Sequence, residues 1–454
     1  MEVLGVILSL IGLMFFAYKG INVLILAPIM ALFAALWQSD TPLLATYTQI
    51  YMPALGSYLL QYFPLFLLGA IFGKIMSASG AASSIGQLIA KAVGTERAIT
   101  AVVIACALLT YGGVSLFVVA FCMYPIAQNL FAKAKVSARL IPGAIALGSF
   151  TFTMTALPGT PAIQNAIPMP YFGTTAFAAP GLGTIGGLLM LTLGLVWLNR
   201  RAKIVEYEEL LDNNQKSVKA EPNPYISLIP LVIVILGNYL FASHVFPAMD
   251  LSFLADSKWG GISASKVTGL WSLIISLTLA IVVLIALMRK FLDSPIKSIN
   301  QGTMDSLLPI FNTASEVGYG ACIASFASFA LIKNGVLGIA PTMPLISEAV
   351  AINALAGITG SASGGLSIAL QALADTYMQM AQSAGISPEL LHRVASMSCG
   401  GFDTLPHNGA VITLLGICGM THKKSYKDIF MVAVVFPFFA TSIVVILGTL
   451  FGSF

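Results

Sequence analysis

The sequence predicts an all-α polytopic membrane protein, and three observations carry that prediction. Of its 454 residues 57% are hydrophobic and 9% charged, where soluble domains carry about 25% charged residues. Apolar runs of about 20 residues, enough to cross a hydrocarbon core of about 30 Å, recur from Glu2 to the C-terminus. One choice of orientation places all but four of the 22 Lys and Arg residues on the cytoplasmic face of a cell inner membrane.

Crossings are expected near Glu2 to Tyr18, Ile21 to Trp37, Leu55 to Met76, Leu140 to Ile163 and Phe177 to Leu198. The first run lacks a basic leader region and is followed by Lys19, so it reads as a crossing rather than a cleaved signal. A charged stretch closed by Pro222 and Pro224, residues 200–224, forms a cytoplasmic linker. Crossings resume near Tyr225 to Phe246, Val267 to Met288, Leu307 to Leu331, Leu390 to Cys418 and Phe430 to Leu450. In each half one more apolar segment, Ala98 to Phe131 and Ala349 to Met380, is too long for one crossing and is interrupted by Gly-Gly; both are expected to be re-entrant hairpins. The short, polar stretch Ser77 to Gly94 is expected to be a surface helix leading into the first hairpin. Both termini then lie outside, and only Lys258, Lys266, Lys333 and Arg393 depart from the basic-inside pattern. Treating the first hairpin as a crossing would strand Lys133, Lys135 and Arg139 outside.

The halves, residues 1–199 and 225–454, repeat one another. Ungapped alignment of the hairpins pairs Thr95 with Ser347, Glu96 with Glu348, Gly112 with Gly364, Gly113 with Gly365 and Ser115 with Ser367. After small gaps Leu157-Pro158 meets Leu405-Pro406, and each proline breaks the crossing that follows its hairpin, about 140–163 and about 390–418. Five crossings per half is an odd number, so the second copy enters from the opposite face as an inverted-topology repeat.

Broken backbone at membrane depth is tolerable only where it packs in protein or lines a wet cavity. The expected site therefore lies where two hairpin tips and two breaks meet. Half-helix ends aim positive dipole ends at an anion, and Gly112, Gly113, Gly364 and Gly365 allow close approach. The hydroxyls of Thr110, Ser115, Thr155, Thr160, Ser361, Ser363, Ser367 and Thr404 and the amide of Asn408 surround it. Any one hydroxyl is better explained by a local bond to helix backbone; the cluster is what points to a ligand.

Ionisable groups at this depth need a reason. Asp403 and His407 flank Pro406 and are read either as proton carriers or as structural groups, Asp403 capping a half-helix that begins near Leu405 and His407 meeting freed carbonyls. Glu316, midway along its crossing, is a second proton carrier or a packed neutral acid. Glu96 and Glu348 are expected to cap the hairpin helices.

GGVSLFVVAFCMYPIA (112–127) and FDTLPHNGAVITLLGI (402–417) resemble the gluconate permease (gluconate:proton symporter) family, and the likeness runs over nearly the whole chain. The resemblance implies the plan of the wider ion transporter superfamily: two inverted repeats, a scaffold and a moving transport domain in an elevator mechanism, and a homodimer. By position it makes 110–115, 155–160, 361–367 and 403–409 the substrate-binding elements. The TLPHNG form of the second break is similar to the branch that takes D-3-hydroxybutyrate. With no Arg or Lys expected near the breaks, one carboxylate suits the site better than two or three. The implied function is proton-coupled uptake of a short hydroxy-monocarboxylate, with sodium coupling as the alternative.

Other classes fit poorly. There is no HExxH or GxSxG for an intramembrane enzyme, and a channel would not need paired breaks in an inverted repeat. Cys106, Cys122, Cys322, Cys399 and Cys418 lie in apolar segments without a CxxC pair and are expected to be packing residues, with no metal or cofactor. The net charge of +4 resides in loops, which argues against nucleic acid.

Overall fold

In the computed structural model, all residues are described except 1, 20, 40, 208–220, 330, 332–333, 336–337, 339, 341–342 and 407. Among the described residues all regular structure is helical. The first half runs α1 (Glu2–Tyr18), α2 (Val23–Ala35), α3 (Leu43–Ala78), α4 (Ala81–Val93), α5 (Ala98–Tyr111), α6 (Leu116–Lys133), α7 (Ile141–Ser149), three helices of four or five residues (Phe152–Thr155, Ile163–Ala166 and Pro168–Phe172), and α8 (Pro180–Ala202). The second runs α9 (Pro224–Ala248), α10 (Ser265–Met288), α11 (Pro295–Ser325), α12 (Pro344–Thr359), α13 (Ala362–Ala384), α14 (Pro388–Ser398), α15 (Gly409–Ile417) and α16 (His422–Phe451).

Helix starts follow local sequence. Asn223-Pro224, Ser294-Pro295 and Ser387-Pro388 each set a capping side chain on an early backbone N–H and a proline at the first helical position. Gly80 (φ +76°) and Gly94 (φ +85°) bracket α4, whose axis bends by 108° into the segment that contains α5.

Among the described residues five helices, α3, α8, α9, α10 and α16, are long and apolar enough to cross a bilayer individually. The sequence expects ten crossings, and the difference has local causes. α1 and α2 are short for a full span, α11 is long but carries Lys297, Asp305 and Glu316, and the two tracks after the hairpins are broken. Large apolar side chains stand bare on the exterior, Leu60 at 86% and Leu44 at 79% exposure among them, as expected where lipid replaces water.

Polar ties fix how helices run. Gln38 accepts from the Ser328 hydroxyl at one end of α3, and Lys74 pairs with Asp305 near the other, so α3 and α11 are antiparallel. The carbonyl of Phe454 accepts from Gly181 N at the start of α8, and Arg201 at its end pairs with Asp428 early in α16, so α8 and α16 are antiparallel too. The Arg139 guanidinium donates to Lys424 O beside that pair. On α4, the Ser84 hydroxyl donates to Pro222 O and Gln87 to Glu221, seating the end of the linker on that helix. α3 approaches α11 closely because Gly302 faces the Ala70–Ile71 backbone, where a Cβ would lie 2.7 Å from Ile71 Cα.

Asp428 is buried, and its carboxylate takes both the Arg201 guanidinium and the Trp197 indole N–H, each at 2.9 Å. Asp428→Ala should therefore lower stability by roughly 2 to 3 kcal/mol. Asp305→Ala, which removes an exposed ion pair, should cost under about 1 kcal/mol. Thermal unfolding in detergent compares the two.

Candidate functional site

The first hairpin turns at residues 112–115 between α5 and α6, with Gly113 at φ +96°. Its tip is seated on the first break: the Tyr111 hydroxyl donates to Pro158 O at 2.6 Å, and a Cβ on Gly113 would lie 3.2 Å from Pro161. Thr110 is buried with an unpartnered hydroxyl, while Ser115 stands half-buried at the start of α6. In the break, between Phe152–Thr155 and Ile163–Ala166, Gly159 adopts φ +80°. Its N–H donates to Ala176 O, and its carbonyl accepts from the Asn238 amide. Thr155 uses its hydroxyl on Thr151 O, and Thr160 Oγ1 accepts weakly from Ala162 N.

The second hairpin turns elsewhere than its Gly-Gly pair. Gly360 (φ +64°) makes the turn, and Ser361 opens α13 by accepting from Gly364 N at 3.0 Å. Gly364 and Gly365 thus lie inside the first turn of α13. They are needed there for space: a Cβ on Gly365 would overlap Ala356 backbone, and one on Gly364 would overlap the Glu316 carboxyl. Ser361 Oγ accepts from Gly364 N and keeps its own proton for Glu316, which it adjoins.

Glu316 is 4% exposed, and its Oε2 has no partner. Around it α11, α3 and α13 bring a set of hydroxyls. Thr313 Oγ1 lies 3.3 Å from Ser363 Oγ, Ser315 bonds the Tyr51 hydroxyl, and Tyr58 and Ser367 place buried hydroxyls beside each other.

The second break, between α14 and α15, runs through Gly400 and Gly401 and a short 3-10 turn at Phe402–Thr404. The half-helix α15 begins at Gly409, and Asn408, not Asp403, caps it by accepting from Val411 N at 2.8 Å. Asn408 Nδ2 also donates to Gly360 O, tying this break to the tip of the second hairpin as Tyr111 ties the first. Asp403 is left buried with Oδ1 unpartnered. Thr404 donates to Ala433 O at 2.8 Å, a carbonyl within the π-helical turn Met431–Val435 of α16, where the regular ladder is interrupted. The expectations for His407 lie outside the described residues.

The two breaks meet: a Cβ on Gly400 would lie 2.6 Å from Thr155 Cγ2. What binds them is Arg393, which the sequence places at the outer end of its crossing and the structure buries completely. The first turns of α14 pack inside the protein, so Arg393 donates to Thr155 O, Ala176 O, Ala178 O and Asn165 Oδ1. The adjacent His392 bonds Thr174 and Asn165. Sequence reasoning missed this group, although an His-Arg pair at the head of an apolar, proline-broken segment is a signal for it. It also overturns the expectation of no basic residue near the breaks.

Glu348 is corrected as well. It is buried on α12 with both oxygens unpartnered and caps nothing, while Glu96 stands exposed just ahead of α5. Two surface concavities, about 410 Å³ beside Phe246–Thr268 and about 450 Å³ beside Ser294–Asp305, include none of the tip or break residues.

No family model matches the chain. It is 42% identical to the Bacillus subtilis (strain 168) protein named uncharacterized transporter YxjC, over 455 residues and 96% of each chain. The chain belongs to the YxjC family of membrane transporters. The crystal structure of the Alcanivorax borkumensis YdaH transporter has the same overall fold, with a TM-score of 0.59 over 88% of each chain at 13% identity. The Neisseria gonorrhoeae MtrF structure, TM-score 0.44 at 13% identity over 90% of this chain and 84% of its own, is too distant to bear on the fold. A multi-pass transporter, not an enzyme, is what these residues build.

Gly364→Ala should reduce transport roughly tenfold or more with membrane insertion intact, because the new methyl displaces the Glu316 carboxyl. Gly416→Ala, with nothing within 4 Å of its Cβ position, should leave transport within about twofold. Initial uptake rates at matched protein levels check both.

Proposed function

We propose that this transporter takes up a short hydroxy-monocarboxylate together with protons, D-3-hydroxybutyrate ahead of gluconate-type sugar acids. The observation that carries the reading is that two of the buried carboxyl groups stand at the tip and break of the second half, Glu316 on α11 against the second hairpin tip and Asp403 in the second break, each with an unpartnered oxygen and no cation in ion-pairing range among the described residues. A protonated carboxyl can be buried cheaply and an ionised one cannot. That difference suits groups that take a proton before occlusion and yield it on re-exposure. Hydroxyls of Thr110, Ser361, Ser363 and Ser367 and the half-helix start at Asn408 supply neutral donors for one carboxylate and one hydroxyl.

The antiparallel pairs α3 with α11 and α8 with α16 support an inverted repeat, with residues 1–199 and 225–454 as the two copies. The ties of each tip to the break in its own half support a transport domain of hairpins and broken helices moving against a scaffold, as in an elevator; a homodimer is proposed on the family resemblance alone. Arg139, Arg201 and Lys424 gather at one end, which supports a cytoplasmic linker at 200–224 and outer-face termini in an inner membrane. The gluconate permease likeness rests on the two motifs at 112–127 and 402–417. Sodium coupling has its own support in the oxygens gathered at Thr313, Glu316, Ser361 and Ser363.

Uptake of labelled D-3-hydroxybutyrate into proteoliposomes tests the reading. An inward proton gradient should drive accumulation, lactate should compete better than citrate, and replacing sodium at fixed pH should change nothing. Asp403→Asn and Glu316→Gln should each retain exchange of bound substrate and cut gradient-driven accumulation by roughly tenfold or more. Accumulation by both variants at the wild-type level rules these residues out as proton carriers.

A further inference from the structure

Arg393 is the largest fully buried side chain among the described residues, and its charge has no counterpart within pairing distance among them. All five N–H groups are taken. Nε donates to Ala178 O at 3.0 Å, Nη1 to Thr155 O at 3.3 Å and Asn165 Oδ1 at 3.2 Å, and Nη2 to Ala178 O at 2.7 Å and Ala176 O at 3.4 Å. Every acceptor is a neutral oxygen. The ion pairs among the described residues are Lys74 with Asp305 and Arg201 with Asp428, so no described carboxylate lies within pairing distance of Arg393. Glu389, one turn earlier on α14, stands exposed beyond pairing distance and acts on Arg393 only at longer range.

The neighbouring groups add no charge. Asn165 Nδ2 donates to Thr160 O and Ala176 O, which fixes Oδ1 as the acceptor from both Arg393 and His392 Nε2. His392 Nδ1 then accepts from the Thr174 hydroxyl at 2.6 Å, and the ring needs only one proton. The backbone is bent to serve the guanidinium: Ala179 is held at φ +41°, a left-handed conformation that an L side chain rarely adopts, next to the carbonyl of Ala178 that takes two of the five bonds. A buried charge is ordinarily matched by an opposite one. Here the hydrogen bonds are complete and the charge is not, one residue away from the contact between Thr155 and Gly400 where the two breaks meet.

We infer that Arg393 is the anion-selecting residue of this transporter, acting through its field and without touching the ligand, and that the substrate carboxylate seated between the breaks is its counter-charge. This rests on the reading that the cargo is an organic anion. A guanidinium that gripped a carboxylate would keep N–H groups free for it; this one has none. Selection for charge is therefore separated from selection for shape, which falls to the hydroxyls and glycines of the tips. A single uncompensated charge also favours a monoanion, since a second carboxylate on the ligand finds no partner.

Purified full-length protein in detergent, titrated with D-3-hydroxybutyrate, lactate and gluconate and with the carboxamide of each, tests this through the carboxylate-to-amide affinity ratio, which does not depend on the folded fraction. The wild-type ratio should exceed about 10, the effect of one unit charge over roughly 10 Å at an effective dielectric of about 20. Arg393→Gln should lower it about tenfold, and Arg393→Lys, which keeps the charge and loses most of the bonds, should hold it within about threefold. Arg393→Gln with the wild-type ratio, or Gln and Lys variants that lose it equally, would overturn the inference. If Arg393→Gln does not insert, Asn165→Asp, which sets a carboxylate beside the guanidinium, should lower the ratio in the same way, and an unchanged ratio there overturns it too. A wild-type protein that prefers no carboxylate over its amide overturns the organic-anion reading itself.

Discussion

A backbone N–H or carbonyl left bare in hydrocarbon costs several kcal/mol, and among its described residues this chain leaves its helical ladder in the middle of two apolar tracks, between Thr155 and Ile163 and between Ser398 and Gly409. How those freed groups are paired decides the rest of the architecture. The first break has its carbonyls taken by side chains from elsewhere: Tyr111 on Pro158, Asn238 on Gly159, Asn165 on Thr160, and Arg393 with Ser396 on Thr155. The second is held by Asn408 on Gly360, Tyr426 on Thr404 O, and Thr404 on a carbonyl in a π-turn of α16. Partners come from the hairpins, from α9, α14 and α16, so removing any one of these elements strands groups in the others.

This pairing also explains the division of labour among polar residues. Side chains with complete hydrogen-bond sets, such as Asn165, His392 and Arg393, are structural in their contacts. Those that face the junction with capacity left over, such as Thr110, Ser367, Glu316 and Asp403, are available to a ligand or a proton. The glycines follow the same split. Gly113, Gly159 and Gly360 supply left-handed turns, and Gly364, Gly365 and Gly400 supply clearance for a carboxyl, a helix backbone and a facing threonine.

Much of the candidate site was legible because its signals are local. Gly-Gly and Leu-Pro inside apolar runs mark interrupted helices whatever surrounds them, and an acid such as Glu316 or Asp403 in such a run announces itself by its cost. The errors are all questions of partner. Asp403 and Asn408 both have capping chemistry, and only backbone geometry shows that the helix begins after Asn408. Gly364-Gly365 reads as a hairpin turn because sequence cannot separate a glycine used for its φ from one used for its missing side chain. Glu348, behind a serine at a helix start, looks like a cap until its burial on α12 is seen.

By itself the sequence determined an all-helical chain bound for a membrane, the order of its apolar segments, and the places where helices must stop, because hydrophobicity, proline and glycine act within a few residues of where they stand. Tertiary structure alone decided that Thr155 faces Gly400, that Glu316 lies against the second hairpin, and that Arg393 is an internal tie rather than a charge on the outer face. A charge near the end of an apolar segment satisfies the loop pattern and a buried network equally well, and what separates them is the set of carbonyl oxygens brought to it from residues 155–178, more than two hundred positions away.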